Sequence, residues 1–530
     1  MARRRHVHVQ GSMSTLVKSI RKGIVAGSVA LLFVGGCQLP PTGTANEEPI
    51  VIGTSSVLAG LDPAGVYDAG SWAVFNNIYQ SLLTFEPGSP IPRPDAAESC
   101  EFTGPTLTTY QCELRGGLAF SNGNPLTARA VKRSFDRILR IRDPLGPGPL
   151  FANLASVEAQ GSLVTFHLAA ADATWPSKIA TGAGSIVDPA EFPLNRLREE
   201  RSVSGSGPYV ISSYRDAKAI TLEPNAAYRG AVTKRGGVVE VRYFETPQDV
   251  EKAWNARTVD IAYAGLPAAT LAGIGPGDTD VRLSVGDSAE AHYLVLNSRP
   301  RKPLGNIAAR RAVAALVDRG HLASEVFKHT VTPLYSLVPQ GVAGHSTAFF
   351  DRYPEADTAY AAQRLRAAGT TVPVRIKLGH QSGIAAVEAR ELKRQLEKNG
   401  LFRVELVEER DFITYQKRCL KGEFDAHLFQ WVPDFPDADT FVQPLVGSGN
   451  VLDNGYTSVG VDQDIRDTQR FTDRGKAMKR FRAIQDTIAK DAPLIPIWHR
   501  QRRVVTRSTV LGGHRLAEDA VWRLWELRWL

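Results

Sequence analysis

From residue 50 the chain alternates short apolar runs with amphipathic stretches. "PIVIGTSSV" (49–57) reads as a strand and "LAGLDPAG" (58–65) as a loop. "SWAVFNNIYQSLLTF" (71–85) reads as a helix that Ser71 caps, with Val74, Phe75, Ile78 and Leu82 on one face. "YQCELRGGLAFSNGNPLT" (110–127) alternates as strands do, and Thr127 caps a helix that turns Val131, Phe135 and Ile138 inward. Further strands are expected at "GSLVTFHLAA" (161–170), "AITLEPN" (219–225), "VVEVRYF" (238–244), "VDIAYAG" (259–265) and "AHYLVLNS" (291–298). "TPQDVEKAWNART" (246–258) reads as a helix, and "NIAARRAVAALVDRGHLASEVF" (306–327) as two helices hinged near Asp318. Helices at 358–368 and 384–398 alternate with strands "VPVRIKLG" and "FRVELVEE". A helix at 473–490 places Met478, Phe481, Ile484 and Ile488 on one side, and "LIPIWHR" and "VWRLWELRWL" close the chain as strands. Interleaved strands and helices without short repeats predict an α/β fold. At 530 residues, two or three domains or lobes are expected.

The net charge of +8 invites a nucleic-acid partner, but its location argues against one. Residues 1–36 hold Arg3, Arg4, Arg5, Lys18, Arg21 and Lys22 and no acid; the rest carries 57 basic and 55 acidic residues, with no long basic run. That leader has the parts of an export signal: a basic start, an apolar run from Ile24 to Val34, then Gly35-Gly36. The run is eleven residues long, too short for a bilayer core of about 30 Å. Either Met1 or Met13 serves as its start. "VGGC" ending at Cys37 resembles a bacterial lipobox, whose Cys thiol is acylated and becomes the new N-terminus; an ordinary signal peptide with an incidental Cys is the alternative. A polar, Pro-rich tether, "QLPPTGTANEEP", follows and suits an anchored protein. The expected location is the outer side of the cell membrane, held by lipid.

Export implies an oxidising compartment. Cys100 and Cys112 flank "EFTGPTLTTYQ", two strand-like stretches about a Gly-Pro turn, and antiparallel pairing about Thr106 sets them opposite each other. A disulfide is expected, with Cys419 left as a buried thiol.

The chemistry-bearing stretch is "FQWVPDFPDAD" (429–439), where three acids sit among aromatic residues and prolines. By composition it is a solvated loop of turn-forming residues. Its acid spacing, with no Gly and no closing Glu, does not fit a calcium loop. There is no G-x-S-x-G elbow and no H-E-x-x-H; "GHSTA" (344–348) lacks the final Gly, and "GIGPGD" (273–278) has no nucleotide-binding context. Eleven His are scattered, with no pair at ligand spacing beyond His6 and His8 in the leader. No catalytic residue, metal site or cofactor is expected. An exported hydrolase is the weakest of the competing classes.

Several stretches, in order, resemble the extracellular solute-binding proteins of peptide-type ABC importers, family 5. They are "LDP" (61–63) before "NIYQSLL", "YQCELRGGLAFSNGNPLTARAVKRSFDR", "GSGPY", "YLVLNSRP" with "NIAARRAVAALVDR", "QWVPDFPDADTF" and "IQDTIAKDAPLIPIWH". The resemblance runs from about residue 50 to the last. It implies a two-lobed clamshell like the type II, cluster C-like periplasmic binding proteins. Residues 1–36 would be the signal peptide and 37–49 the tether. Lobe I would comprise 50–85, 204–296 and 495–530, an extra domain 86–203, and lobe II 297–494. Crossovers near Leu294–Asn297 and Pro493–Trp498 would form the hinge.

The resemblance also implies a ligand-binding site between the lobes. In family members that bind peptides, the first acid after the Trp holds the ligand's ammonium, which here is Asp434, with Trp431 as an apolar wall. Strand-like pairing with an extended ligand would come from Ser55 to Gly60, including Val57 and Leu58. Tyr209 and Trp72 are cleft candidates or packing aromatics. Lobe II positions that carry Arg or His in some members correspond to Ile384 or Gly383, Cys419 and Leu428, none of them basic; His380, Lys417 and Arg418 lie nearby without a motif match. The implied function is delivery of peptides to an ABC permease and, through it, to ATPase subunits, by a monomer without enzymatic activity. A non-peptide solute (a cationic small molecule, nickel chelate, sugar or haem) and a sensory receptor of the same fold are the alternatives.

Overall fold

The strand Ile50–Thr54 is buried at all five positions, as an apolar run paired on both edges must be. It lies parallel to Val239–Tyr243 on one side and Ile261–Tyr263 on the other. These strands belong to a large mixed sheet described by a computed structural model, which covers residues 48–530 except 216–217, 233–235, 264, 276 and 519–520, with only the backbone of 287–289. Across the sheet the order is Phe402–Glu408, Val374–His380, Ala426–Trp431, Val281–Leu296, Leu494–Arg507, Ile261–Tyr263, Ile50–Thr54, Val239–Tyr243, Ala219–Pro224 and Tyr209–Arg215. A short strand, Thr332–Pro333, pairs with Leu494–Arg507 in addition.

Two long antiparallel strands, Val281–Leu296 and Leu494–Arg507, stand in the middle of this sheet. At one end Val504 lies in a core shared with Ile52, Val241 and Ile261. On the other face Val505 packs with Val51, Val250 and Trp254. At the far end Ala291, Tyr293, Leu494, Ile495, Ile497 and Trp498 join a separate core with Val313, Leu378, Leu428 and Phe481. The strands pass between these cores over 286–290 and 499–503, and their register slips between Val285 and Ala289. The first strand therefore begins ten residues before the expected "AHYLVLNS". Gly286-Asp287-Ser288 looks like a turn in sequence, but the irregularity absorbs it within the ladder. Gly286 is required there, since a Cβ would stand 1.6 Å from the carbonyl oxygen of Ala517.

A second, four-stranded antiparallel sheet has the order Ala97–Phe102, Thr109–Leu114, Leu163–Leu168, Leu154–Gln160. Cys100 and Cys112 are directly opposed in its register and joined by a disulfide. The helix Ala128–Ile141, capped by Thr127, buries Val131, Phe135 and Ile138. Phe135 meets Phe151 and Phe166 edge-on.

Asp62 of "LDP" meets Arg137 of "SFDR" in a bidentate ion pair, at 2.8 and 2.6 Å. Both are buried, and Asp62 also accepts the N–H groups of Ala64 and Arg198. Two separated sequence stretches are thus one interaction, tying the loop after the first strand to the helix Ala128–Ile141.

Local expectations change in three places. The first helix runs over Ala69–Ile78, and Asp68 caps it, accepting from the Ser71 backbone at 2.8 Å and from its hydroxyl at 2.8 Å. It stops at Tyr79 because "GSGPY" crosses its end. The N–H of Gly207 donates to the carbonyl of Ile78, and a Cβ at Gly205 would meet that oxygen at 1.7 Å. The expected final strand "VWRLWELRWL" is mostly irregular, with a 3-10 turn at Leu524–Glu526 and a two-residue strand, Arg528–Trp529. Val521, Trp522 and Leu524 instead fill the first core.

Candidate functional site

The strand Ala426–Trp431 ends beside the long strands, with Trp431 opposite Ala291. The chain then turns through Val432 and Pro433 to Asp434. Phe435 leaves the core of its chain neighbours Trp431, Ala438 and Phe441 and packs into the other core. Tyr67, from the loop after the first strand, packs against both.

Asp434 is 7% exposed, so it is no solvated turn residue. Its Oδ2 accepts the Tyr67 hydroxyl at 2.6 Å, and its N–H donates to Thr440 Oγ1 at 2.9 Å. Trp431 Nε1 donates to the Thr440 carbonyl at 2.8 Å. The Tyr67 ring stacks on Trp72 at 5.2 Å and meets Trp431 edge-on at 5.7 Å. The carboxylate is thus bonded to Tyr67, whose ring packs against Trp72 and Trp431. Burial lifts its pKa from 3.8 to about 7, against hydrogen bonds from Tyr67 and Thr440 and the charge of Lys178.

Lys178 is committed elsewhere: its Nζ lies 2.8 Å from Asp172 and 3.7 Å from Asp439. Asp439 is 1% exposed and also accepts from Gln469. Asp437 forms a bidentate pair with Arg474 at 2.7 and 2.9 Å. The first acid of the motif differs from the other two: among the described residues no cation stands within ion-pair distance of Asp434. A buried carboxylate without a cation is costly, and a ligand ammonium would relieve that cost. The indole Nε1 of Trp72 is also buried without a partner, a donor that calls for an acceptor such as a carbonyl oxygen rather than for an ammonium.

The other expected site residues are distributed unevenly. The ladder of the first strand ends at Thr54; 55–60 lies outside it, and there the N–H groups of Ser56 and Ala59 donate to Thr54 Oγ1 and Ser71 Oγ. In that segment Val57 is 41% exposed and Leu58 packs on the first core. Tyr209, by contrast, is a packing aromatic: it is 1% exposed in the first core, and its hydroxyl donates to the Gly237 carbonyl. It begins a strand at the far edge of the sheet, which is why it does not join the Asp434 group. Cys37 lies outside the described residues. Cys419 is half-buried, and burial pushes its thiol up to about 12. Arg418 is taken by Glu409 and Glu423.

Sequence reasoning missed Tyr67 and Lys178, which reach this group only by long-range contact, and Thr440, which lies six positions from Asp434. It also passed over Arg500, Arg502 and Arg503, which line a cavity of about 200 Å³ between the two cores. Among the described residues no group of three or more His, Cys, Asp or Glu is placed to hold a metal ion, and no helix is long and apolar enough to cross a membrane.

Comparison with known proteins agrees with this architecture. The chain is similar to the probable D,D-dipeptide-binding periplasmic protein DdpA of Escherichia coli K12, with 24% identity over 486 residues, 88% of this chain and 91% of that protein. Its fold matches the periplasmic binding protein DppA of Helicobacter pylori, solved in complex with peptide STSA, at TM-score 0.81 and 20% identity, covering 91% of this chain and 98% of that one. It also matches the binding protein AgaA of A. tumefaciens R10, solved with agropinic acid, at TM-score 0.81 and 19% identity, covering 91% and 99%. The fold is that of the type II periplasmic binding proteins. The family profile described as bacterial extracellular solute-binding proteins, family 5 Middle, matches residues 92–453, and the chain belongs to that family.

Proposed function

We propose that this protein is the extracytoplasmic substrate-binding subunit of an ABC importer, that it takes peptides between its two lobes, and that Asp434 receives the ligand's ammonium. The observation that carries this reading is the buried Asp434 carboxylate, bonded to Tyr67, whose ring packs on Trp72 and Trp431, with no cation at ion-pair distance among the described residues. The peptide bound by the Helicobacter relative and the dipeptide in the name of the Escherichia relative support it.

The lobes are 50–85 with 204–296 and 495–530, and 297–494, with 86–203 as the added domain. The two long strands between the cores serve as the hinge. A ligand that touches both lobes binds the closed form better and shifts the population toward it. The segment 55–60, with Val57 and Leu58, lies beyond the ladder of the first strand and offers backbone groups to an extended ligand, a mode that tolerates many side chains. The protein binds rather than catalyses. It acts as a monomer, tethered through acylated Cys37, and delivers its solute to the permease and its ATPases.

A competition assay by native mass spectrometry tests the central claim. A library of tri- and tetrapeptides should bind with free N-termini and fail to bind when N-acetylated; equal binding of both forms refutes the ammonium role. Cys37→Ala should move the protein from membrane to soluble fractions, and unchanged membrane association refutes the anchor. A non-peptide amine is the second reading, favoured by Ile384, Cys419 and Leu428, which place no base opposite Asp434 in lobe II.

A further inference from the structure

The strands Val281–Leu296 and Leu494–Arg507 present two faces, and the two cores meet differently on each. Trp431 and Ala291 are paired and share one face. His292, the next residue, turns to the other, where Glu388 of the helix Ile384–Glu397 meets it at 3.0 Å. On that second face a cavity of about 200 Å³ separates Leu266 from Ile384 and Val387, and its glutamate, Glu290, is engaged by Arg500 at 2.8 Å. On the face of Trp431 the cores are in contact, through Tyr67 and through the stretch that follows Trp431.

In that stretch Phe435 enters the first core, while Ala438 and Phe441 stay in the second. Asp439, between the latter two, lies 3.7 Å from Lys178 Nζ. Lys178 belongs to the other side of the contact: Trp175 and Ile179 of its helix, Trp175–Ile179, both sit in the first core. Beside this pair the Ala173 N–H donates to the Gln469 carbonyl at 2.7 Å, and Gln469 Nε2 donates to Asp439 at 3.1 Å.

The charges at this contact sort by core. Lys178 has Asp172 at 2.8 Å on its own side. Arg474, over the ring of Phe481 in the second core, has Asp437 at 2.7 Å. Each of these pairs is complete without the opposite core. Asp439 is the acid left over. It is 1% exposed, and among the described residues Lys178 is the one cation at ion-pair distance. Burial raises the Asp439 pKa, and the charge of Lys178 is the largest influence against that rise. Burial works against the Lys178 charge too, but Asp172 and then Asp439 outweigh it and raise its pKa. Away from the first core Asp439 has water; pressed against that core it needs Lys178.

We propose that Lys178 is a positioning residue for the ligand site: it stays with Asp172 on the first core, and its charge lets Asp439 of the second core be buried when the cores close, which catches them together over Asp434. The inference rests on the two-lobe reading above. Asp439 follows Asp434 by five positions, so the catch that holds Asp439 also holds the turn that brings Asp434 to Tyr67. Closure is then partly independent of the ligand, and the closed fraction of the empty protein enters the affinity of every ligand that binds the closed form.

The test reads the separation of the cores in the ligand-free protein. Double electron–electron resonance measures the distance between spin labels at two exposed positions, introduced by Ala155→Cys and Lys479→Cys in a Cys419→Ser background. Lys178→Met should cut the short-distance fraction by about half or more, and affinity for the best library peptides, by calorimetry, by about twofold or more. Lys178→Met combined with Asp439→Asn should restore the wild-type distances, because the second core then brings no charge into the contact. Phe435→Ala, which removes a separate contact between the cores, is the control. If Phe435→Ala lengthens the distances and Lys178→Met does not, the catch is overturned and the two-lobe reading stands. If Lys178→Met lengthens them and Asp439→Asn does not reverse the change, Lys178 acts only through Asp172 and the catch is again overturned. If neither variant lengthens them, the moving lobes fail and the catch falls with them. Should Lys178→Met not fold, Asp439→Lys probes the same contact with the Lys178–Asp172 pair intact: like charges should lengthen the distances, and an unchanged distribution overturns the catch. The distances are read without ligand, so they decide the catch whether or not Asp434 takes an ammonium.

Discussion

The hydroxyl of Tyr67 donates to Asp434 at 2.6 Å, across 367 positions of sequence. The bond joins the loop after the first strand to the turn after Trp431, and Tyr67 packs on both cores. It satisfies one acceptor of a buried carboxylate and leaves its charge unmatched.

Asp434→Asn should weaken binding of free-amine peptides by well over tenfold, because breaking a buried charge pair costs on the order of 3–5 kcal/mol. Calorimetry should show this loss while N-acetylated peptides are unaffected. The ligand-free variant should also melt at a higher temperature than wild type at pH 8, where wild type carries the uncompensated charge. Equal affinities would defeat the assignment.

Affinity for an amine-bearing ligand should depend on pH through Asp434, whose pKa burial raises to about 7. The ammonium needs the ionised form. Binding should be constant above about pH 8 and weaken roughly tenfold per unit below 7. Stability of the ligand-free protein runs the other way: the folded carboxyl holds its proton more tightly than the unfolded one, so this group's contribution declines as pH rises from about 4 through 7. Tyr67→Phe removes a hydrogen bond that lowers the pKa and should move the affinity midpoint to higher pH. A flat affinity profile from pH 5 to 8 would refute the mechanism.

Asp62→Asn should cost about 3–5 kcal/mol of stability, since it leaves buried Arg137 without its bidentate partner. Urea unfolding should show a lower midpoint with an unchanged slope. A loss under 1 kcal/mol would mean that the pair is incidental to the fold.

Replacing both Cys100 and Cys112 by Ser should cost about 3 kcal/mol in the chain-entropy view, given their separation of 12 residues. Differential scanning calorimetry should place the variant several degrees below wild type; coincident melting would show that the pairing of the opposed strands suffices alone.

Much of the local structure was legible because it is set by local forces. Thr127 and the inward spacing of Val131, Phe135 and Ile138 marked the helix Ala128–Ile141. The Gly-Pro turn between Cys100 and Cys112 marked their opposition. Where local signals conflicted, the reading slipped. Ser71 looked like the cap although Asp68 is one, and a long helix was expected where Gly205 and Gly207 press on the carbonyl of Ile78. Gly286-Asp287-Ser288 hid the first half of a strand whose partner lies more than 200 positions away.

The amino-acid sequence by itself determined the alternation of strands and helices and the cysteine opposition, because spacing and residue type carry that information along the chain; Asp434 beside Trp431 was singled out by the resemblance to a family, since by composition its stretch is a solvated loop. Only the tertiary structure decided that Asp434 is buried while Asp437 and Asp439 are paired with cations, that Tyr209 is core, and that three arginines from one strand line a cavity beside a single, already engaged glutamate. Charge and burial at such positions depend on which distant groups stand within a few ångströms and on how much water they exclude, and neither is a property of neighbours in sequence.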